Sequence, residues 1–523
     1  MGVQSFVGDR RLLRIETQWP ELAAGVALLM ACALVARAPL SHDIAWHLWI
    51  GRQIGHGAGL YTDVVELNPP LWFWLAVPIV RLAHLAGVAA FAGLLAFFVT
   101  ATALSGGLLA VLVREQPRPQ RAAMYGVFGL VSLGLVLREF GQREQYVLLA
   151  AVPYAVLIAR RATGRPVSRQ LAVCVTTFAA TGFALKPHFI AVPLLLEAWL
   201  FLSARPNWRA WRPEWCVLSL GAIGYAAAVL ALTPAYLAAT VPMTRLTYGA
   251  YDMPIGELLE SELAWPAGLT LIGVLVLGRL RSRIAAAALV AAAAFVLGFA
   301  VQAKGWFYHG IPATGLLLFA IAAEVSAVRW SALGVREKAG MALLGWAFCL
   351  PILNSAVLGY DVYHNRFRAE VTALTADLPP GASVMAFSSR ATFIWPMVEE
   401  RHLLWPSRYY TFWMLPAIVR DRMTGHPTPE LARLARTVQA ETLQDMRCNP
   451  PARILVHDAM RDERDRTLFR QPGFDYLDFF REDPGIAEML THYAPGPKGA
   501  WRTYDLVDPR GIKPPVGPCR QVY

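Results

Sequence analysis

Long apolar runs alternate with short polar loops along the first two thirds of the chain, and this alternation is its dominant pattern. A helix that crosses a bilayer needs about 20 mostly apolar residues. By this measure the pattern predicts an α-helical polytopic membrane protein with about eleven transmembrane helices. They lie at residues 21–39, 87–113, 124–138, 146–160, 171–186, 189–204, 216–234, 264–279, 284–302, 310–327 and 339–358.

The loops between these helices differ in charge, and the difference predicts their sidedness. Lys and Arg accumulate in five loops, at residues 114–121, 160–169, 204–212, 279–283 and 328–338. Basic loops stay in the cytoplasm, so we place all five there, together with the N-terminus that carries Arg10, Arg11 and Arg14.

One apolar stretch, residues 71–86, is best left out of the count of transmembrane helices. It is short and contains Pro78, Arg81 and His84. Counting it as a transmembrane helix would move residues 114–121 and every later basic loop to the extracytoplasmic side. An interfacial or re-entrant helix keeps all the basic loops on the cytoplasmic side.

This topology divides the chain into three parts: a cytoplasmic N-terminus (1–20), a transmembrane module (21–358) and an extracytoplasmic soluble domain (359–523). The first extracytoplasmic loop of the module spans 40–86. Within the soluble domain, strand-like runs (ASVMAF, ARILVHD) mix with helical ones, which predicts an α/β or α+β domain. The aromatic segment 401–414 is interpreted as core, in preference to a membrane-contacting or glycan-binding segment.

Composition supports the membrane assignment. Of 523 residues, 56% are hydrophobic and 16% are charged, whereas an average soluble domain has about a quarter charged residues. The mean hydropathy is +0.41. The net charge of +11 would suggest nucleic acid in a soluble protein, but here the basic residues lie in the loops that the positive-inside rule explains, so we expect no nucleic-acid partner.

The six cysteines indicate neither a metal site nor a redox motif, since no CxxC or Cys/His spacing occurs. Cys32, Cys174, Cys216 and Cys349 lie in or beside apolar runs. Cys448 and Cys519 lie in the soluble domain, where an extracytoplasmic location permits a disulfide without requiring one. No cleavable signal peptide is expected, because the first apolar run lacks a convincing cleavage site.

Unusual polar residues lie close to the membrane in four of the predicted extracytoplasmic segments. In the first loop, Asp43 follows the first helix, beside His42. Tryptophan anchors explain Trp46 and Trp49, but they do not explain an acid at the end of a membrane helix. The same loop continues with Tyr61, Asp63, Glu66 and Asn68.

The other three segments all carry Lys or Arg side chains. The turn REFGQREQ (138–145) carries Arg138, Glu139, Arg143 and Glu144, for which mutual ion pairs and a direct substrate role are about equally plausible. Lys186 and His188 flank Pro187 in a tight turn, and Lys304 precedes Trp306, Tyr308 and His309. A single lysine at a helix end often only snorkels. Two lysines and an arginine on one face predict a site for a lipid phosphate.

A carboxylate and a basic cluster on the same side of the membrane suit the transfer of a group from a lipid phosphate. The carboxylate would act as a general base toward an acceptor hydroxyl. The cations would stabilise the departing phosphate.

These residues resemble a known family. The acid after the first helix, the segment LYTDVVELNPPL, the Lys186–Pro187 turn and the segment AKGWFY are similar to the GT-C superfamily of polyprenyl-phosphate-dependent glycosyltransferases. The protein O-mannosyltransferase-like group and the lipid A aminoarabinose transferases are the nearest comparisons, over about residues 20–360. The order and common sidedness of the motifs carry the resemblance more than any single motif.

The resemblance implies a hexosyl or pentosyl transferase acting on an extracytoplasmic glycan, lipid or protein. Asp43 would be the catalytic base, with Asp63 and Glu66 as alternatives, and residues 233–254 would help to cover the substrate groove. Many family members have a second acid beside the first, where this chain has Ile44. Since some GT-C enzymes use a divalent cation and others do not, that cofactor stays open and no metal ligand is assigned. The expected substrate-binding residues are His42, Tyr61, Asn68, Arg138, Arg143, Glu144, Lys186, His188, Lys304, Tyr308 and His309.

Two other functions stay open. A transporter or flippase of a lipid-linked substrate would place charges at mid-membrane and often shows internal repeats. In this chain only Glu197 and Glu324 lie within apolar runs, toward the cytoplasmic side, and no repeat is visible. A non-catalytic scaffold of the cell envelope would need no convergence of the acid and the lysines. The composition favours a bacterial inner membrane as the location.

Overall fold

A computed structural model of the chain describes Gly25 and residues 40–204, 208–209, 211–357, 369–392, 394–461, 463–498 and 501–522. The first predicted transmembrane helix, 21–39, lies almost wholly outside these residues, as do the N-terminal arginines and Cys32. The described chain separates into two compact units. We call residues 91–227 and 253–357 the helical unit, and residues 40–90, 228–252 and 369–522 the mixed unit.

The helical unit is built from helices joined by short turns. They are α3 (Ala90–Val113), α4 (Arg118–Gly129), α5 (Arg143–Ala162), α6 (Arg169–Phe183), α7 (Ala191–Ser203), α8 (Pro213–Leu232), α10 (Ile255–Leu259), α11 (Ala264–Leu277), α12 (Arg283–Gln302), α13 (Phe307–Val325) and α14 (Val335–Val357). A π-helical turn (Leu130–Gly134) and 3-10 turns (Leu137–Glu139, Pro187–Ile190) complete it. Each predicted transmembrane segment within the described residues overlaps a helix of the structure.

Two helices form the centre of this unit, because they are buried on all sides. In α5 every residue from Arg143 to Arg160 is buried, and in α13 every residue from His309 to Glu324. Helices that are apolar all round belong inside a larger structure. The alanine-rich helix α12 packs on both, since small side chains allow close approach.

Four described helices, α3, α8, α12 and α13, have the length and apolar composition needed to cross a membrane. The last six residues of α8 have a largely exposed surface that includes Leu230 and Leu232. Exposed leucines in long apolar helices are what lipid contact requires. The structure therefore agrees with a helical membrane protein.

Buried acids hold the basic loops of the helical unit. Glu197 accepts a hydrogen bond from the indole of Trp208 at 2.6 Å and forms an ion pair with Arg212. Glu324 accepts from the backbone N–H groups of Arg281 and Ser282, both at 2.9 Å. The two acids that lie within apolar runs therefore serve as loop anchors.

The mixed unit contains a small sheet and short helices. Its helices are α1 (His42–Gly55), α2 (Leu71–Leu85), α9 (Val241–Thr247), α15 (Trp395–Glu400), α16 (Leu415–Arg422), α17 (Pro429–Cys448), α18 (Glu463–Phe469), α19 (Tyr476–Arg481) and α20 (Pro484–Leu490). Its strands are β1 (Val384–Phe387), β2 (Arg453–His457), β3 (Tyr493–Lys498) and β4 (Trp501–Leu506). The sheet order is β1-β2-β4-β3, with β1 parallel to β2 and the other pairs antiparallel.

The first loop is part of the mixed unit. The backbone N–H of Val65 donates to the carbonyl of Arg408 at 2.8 Å, and helix α15 packs on α1. Helices α1 and α2 approach closely at Gly51, where a Cβ atom would lie 2.9 Å from Ala76. The sequence did not predict that this loop groups with the C-terminal residues.

Three sequence-based expectations for the mixed unit can be compared with the structure. Trp405, Tyr409, Phe412 and Trp413 are buried, so most of the aromatic segment 401–414 is core. Cys448 and Cys519 form a disulfide. Leu71–Leu85 form a helix, α2, and its interfacial or re-entrant position stays a prediction.

Close contact between α5 and α6 yields a stability prediction. A Cβ atom on Gly182 would lie 2.8 Å from the Cβ of Ala150 and 3.3 Å from the backbone of Val147. We expect Gly182→Ala to destabilise the detergent-solubilised protein by about 1–3 kcal/mol, because the two helices must separate. Gly224→Ala in α8 is the control, since nothing lies within 4 Å of its Cβ position. Thermal unfolding measures both, and equal midpoints would contradict the packing described.

Candidate functional site

Basic side chains from three separate turns meet inside the helical unit. We call Arg143, Lys186, His188, Lys304 and His309 the basic cluster. The other four members of the cluster all lie close enough to the His309 ring to interact with it electrostatically. Arg143 begins α5, Lys186 and His188 lie between α6 and α7, and Lys304 and His309 lie at the start of α13. The structure therefore brings together residues that were selected from three different sequence segments.

Local backbone features place these turns. The side chain of Gln145 accepts from the backbone N–H of Gly141 and donates to the carbonyl of Ser132, both at 2.9 Å. It thereby fixes the turn before α5. Ala303 has a φ of 51° and Gly305 a φ of 62°, which reverse the chain between α12 and α13 around Lys304.

One ion pair lies at the centre of the cluster. The Nζ atom of Lys186 donates to the Oε1 atom of Glu144 at 2.5 Å, and both side chains are buried. The same ammonium lies 5.6 Å from the centre of the Tyr308 ring. Glu144 therefore pairs with Lys186, which lies 42 residues away in the sequence.

Arg143 carries two buried guanidinium atoms that lack a described protein partner. The residue is 2% exposed, yet its Nε and Nη1 atoms have no hydrogen-bond partner among the described residues. The Oε2 atom of Glu144, the Nε2 atom of His188 and the Nδ1 atom of His309 are also buried without such a partner. Unsatisfied buried charge is costly. A ligand with acceptor oxygens suits the two Arg143 donors, whereas the Glu144 oxygen calls for a hydrogen-bond donor such as a hydroxyl.

Helix ends add to the positive potential. Both α5 and α13 begin at the cluster and are 20 and 19 residues long. The N-terminus of a helix carries partial positive charge and free N–H groups. An anion such as phosphate suits the cluster for this reason as well. The side chain of Arg138 lies outside the described part of the structure.

A second group of polar residues surrounds Asp43 in the mixed unit. The carboxylate accepts a hydrogen bond from the Tyr410 hydroxyl at 3.0 Å and lies 3.6 Å from the Nε2 atom of His42. Its side chain is 16% exposed. The Trp46 ring stacks on Tyr410, with 5.0 Å between ring centres. Asp43 is thus held on an aromatic surface while part of it stays accessible.

The other two candidate bases are engaged in local structure. Glu66, 5% exposed, accepts from the Trp46 indole at 2.6 Å and from the backbone and side-chain N–H groups of Asn68. Asp63 accepts from the backbone N–H of Gly59 at 2.7 Å. Both acids stabilise the fold of the first loop, so Asp43 is the acid best suited to accept a proton from a substrate.

Tyr61 and Asn68 also shape the first loop. The Tyr61 hydroxyl donates to the backbone carbonyl of Asn68 at 2.5 Å, and its ring packs on Tyr236 with 5.1 Å between ring centres. Tyr61 has a φ of 75°, a backbone conformation that is rare for a residue other than glycine. Their positions indicate a structural role for both side chains.

Sequence reasoning missed Tyr410, which contacts the candidate base. It lies 367 residues from Asp43, inside an aromatic segment that gave no reason to single it out. Among the described residues, no group of three His, Cys, Asp or Glu side chains is arranged to hold a metal ion.

The contrast between Glu66 and Asp43 can be tested. In Glu66→Gln the new amide must place a donor against Trp46 or Asn68, so we expect a loss of about 1–3 kcal/mol of stability. Asp43→Asn changes an acid that is partly exposed, and we expect a thermal midpoint close to that of the wild type. Thermal unfolding of both variants checks this. An equal loss in Asp43→Asn would show that Asp43 is structural.

Comparison with known proteins supports the fold assignment. No family model and no curated protein matches the sequence. Among solved structures, ArnT from Cupriavidus metallidurans bound to undecaprenyl phosphate is similar with a TM-score of 0.55 and 13% identity, covering 95% of this chain and 99% of ArnT. The mycobacterial arabinofuranosyltransferase AftD is 15% identical with a TM-score of 0.43, covering 93% of this chain and 41% of AftD, a similarity too low to support an argument. At this identity the similarity shows the fold alone, and the chain has the fold of ArnT.

Proposed function

We propose that the chain is a membrane glycosyltransferase that moves a sugar from a polyprenyl-phosphate-linked donor to an extracytoplasmic glycan, lipid or protein. The observation that carries the proposal is the buried guanidinium of Arg143, whose Nε and Nη1 atoms have no described hydrogen-bond partner. It lies within a cluster of cations in a chain with the fold of ArnT. ArnT itself has been seen with undecaprenyl phosphate bound.

The charges of the cluster suit a phosphate that gains charge during the reaction. Lys186 is paired with Glu144, so the guanidinium of Arg143 supplies positive charge beyond that ion pair. A sugar phosphodiester carries one negative charge, whereas the polyprenyl phosphate that leaves carries up to two. Cations that favour the more charged species stabilise the transition state more than the bound donor.

Asp43 would provide the base. The acceptor hydroxyl oxygen forms a bond to the anomeric carbon of the sugar, and the bond from this carbon to the phosphate oxygen breaks. The hydroxyl proton passes to the Asp43 carboxylate, which Tyr410 orients through its hydrogen bond. The polyprenyl phosphate leaves with its charge compensated, so no separate acid is needed at the leaving group.

The disulfide supports the location of this chemistry. Cys448 and Cys519 form a bond, and structural disulfides persist in oxidising compartments. We therefore place the C-terminal residues outside the cytoplasm, the N-terminus inside it, and the protein in a bacterial inner membrane. The sidedness of the basic loops leads to the same orientation.

The two other functions have less support. A transporter would use acids within the membrane, yet Glu197 and Glu324 are both engaged in holding loops. A scaffold would have no use for a buried arginine with unsatisfied donors, because such a group only reduces stability.

The role of Arg143 in donor binding can be measured directly. We expect Arg143→Met and Lys304→Met to weaken binding of undecaprenyl phosphate at least about tenfold, because each removes a charge from a buried site. Methionine keeps the apolar volume of the chain. Lys338→Met is the matched control, since Lys338 is exposed at the start of α14. Titration in detergent or nanodiscs gives the affinities, and unchanged binding in both cluster variants would refute the phosphate site.

Asp43→Asn separates binding from chemistry. We expect it to bind undecaprenyl phosphate like the wild type but to lose transfer by a factor of about 10²–10⁴, which is the usual contribution of a general base. The assay supplies radiolabelled polyprenyl-phosphate sugars to proteoliposomes and follows label on water or acceptor. Full activity in the variant would remove Asp43 from the mechanism.

A further inference from the structure

Residues 507–522 follow strand β4, and we call them the tail. An arginine of the tail, Arg520, contacts the first loop. The guanidinium of Arg520 donates from Nη1 to the backbone carbonyl of Asp63 at 2.8 Å and also donates to the carbonyl of Pro406. Its Nε atom donates to the buried carboxylate of Asp445 at 3.2 Å. One side chain therefore joins the tail, the first loop and helix α17.

Asp445 organises a second contact to the same loop. Its carboxylate accepts from the side chain of Arg408 at 3.0 Å and from the backbone N–H of Arg408 at 2.8 Å. The carbonyl of Arg408 in turn accepts from Val65 in the first loop. Asp445 is 1% exposed, so its negative charge is shielded from solvent and depends on these arginines for compensation.

The tail is held at the position that this arginine requires. Cys519 is bonded to Cys448 at the end of α17, directly before Arg520. Gln444 on the same helix accepts from Val516 at 3.3 Å and donates to Gly517 at 3.4 Å. A tail without the disulfide would have to order its last residues at the cost of their conformational entropy.

The fixed loop leads to the candidate base. Residues 59–68 include Glu66, which accepts a hydrogen bond from Trp46. Trp46 stacks on Tyr410, and Tyr410 donates to Asp43. A displaced loop would therefore disturb the surface on which Asp43 lies.

We propose that Arg520, placed by the Cys448–Cys519 disulfide, is a positioning residue that sets the first loop and through it Asp43. The proposal rests on the proposed transferase function for its catalytic consequence, but the effect on the loop is independent of that function. Arg520 acts on the backbone of Asp63, while the disulfide decides whether Arg520 is in place.

Hydrogen exchange of the full-length protein in detergent tests the loop directly. In Arg520→Gln and in Cys519→Ser we expect backbone amides of residues 59–68 to exchange about five- to tenfold faster, as the loss of roughly one hydrogen bond would produce. Amides of β2 should be unchanged. Lys513→Ala is the control. Lys513 lies on the same tail as Arg520, but it forms an exposed ion pair with Glu488 of helix α20. Unchanged exchange of 59–68 in both variants would overturn the proposal.

Arg520→Lys distinguishes positioning from simple charge balance. Lysine keeps a positive charge for Asp445 but lacks the planar fork that reaches acceptors in different directions. We expect a thermal midpoint close to the wild type together with faster exchange of residues 59–68. If lysine restores wild-type exchange, charge alone is sufficient and Arg520 is not a positioning residue.

Kinetics then connect the loop to catalysis. We expect roughly tenfold lower kcat in Arg520→Gln with little change in the affinity for undecaprenyl phosphate, because the basic cluster is intact. If the variants show faster loop exchange but the wild type transfers no sugar from any donor, the proposed function is refuted and the positioning role stands. If the wild type is active but loop exchange in the variants is unaltered, the proposed function stands and the positioning role is refuted.

Discussion

Burying a charged side chain among apolar helices is costly unless the charge is compensated, and this constraint organises the helical unit. At the basic loops every buried acid that we describe has a partner: Glu197 has Arg212, Glu214 has Arg161, and Glu324 has the backbone of Arg281 and Ser282. At the starts of α5 and α13 the rule is only partly met. Lys186 is compensated by Glu144, whereas Arg143 keeps buried donors without a described partner.

We interpret the paired charges at the basic loops as structural, and we propose that the guanidinium of Arg143 binds a ligand. Satisfied buried pairs fix loops and helix ends and need no ligand. An unsatisfied buried guanidinium lowers stability, so its presence is explained when a ligand supplies the missing acceptors. Phosphate is suited to that role because it offers several oxygens to the guanidinium fork and to the adjacent helix N-termini.

Much of this was predictable because it depends on local pattern and sidedness. Apolar runs located the helices, and the distribution of Lys and Arg placed the turns with Lys186 and Lys304 on one side. The convergence of Arg143, Lys186 and Lys304 follows from that sidedness, since each starts or ends a helix of the same unit. The disulfide could be predicted only as permitted, because two cysteines in one predicted domain need not lie within bonding distance.

The rest depends on contacts between residues far apart in sequence. Tyr410 meets Asp43 across 367 residues and Arg520 meets Asp63 across 457, and no periodicity or spacing encodes such pairs. The roles of the three candidate acids were equally inaccessible. The sequence does not distinguish the roles of Glu66 and Asp43. The hydrogen bonds that Trp46 and Asn68 donate to Glu66 show that its carboxylate is engaged within the first loop and its neighbours. The packing of the first loop against the C-terminal residues also depends on contacts between residues far apart in the sequence.

We propose that a lipid phosphate completes the hydrogen bonding of Arg143. A structure determined in lipid nanodiscs with added undecaprenyl phosphate tests this proposal most directly. We expect phosphate oxygens within hydrogen-bond distance, about 2.7–2.9 Å, of the Nε or Nη1 atom of Arg143, with Lys304 also in contact. A phosphate bound elsewhere, or an Arg143 whose donors are satisfied by protein groups, would contradict it.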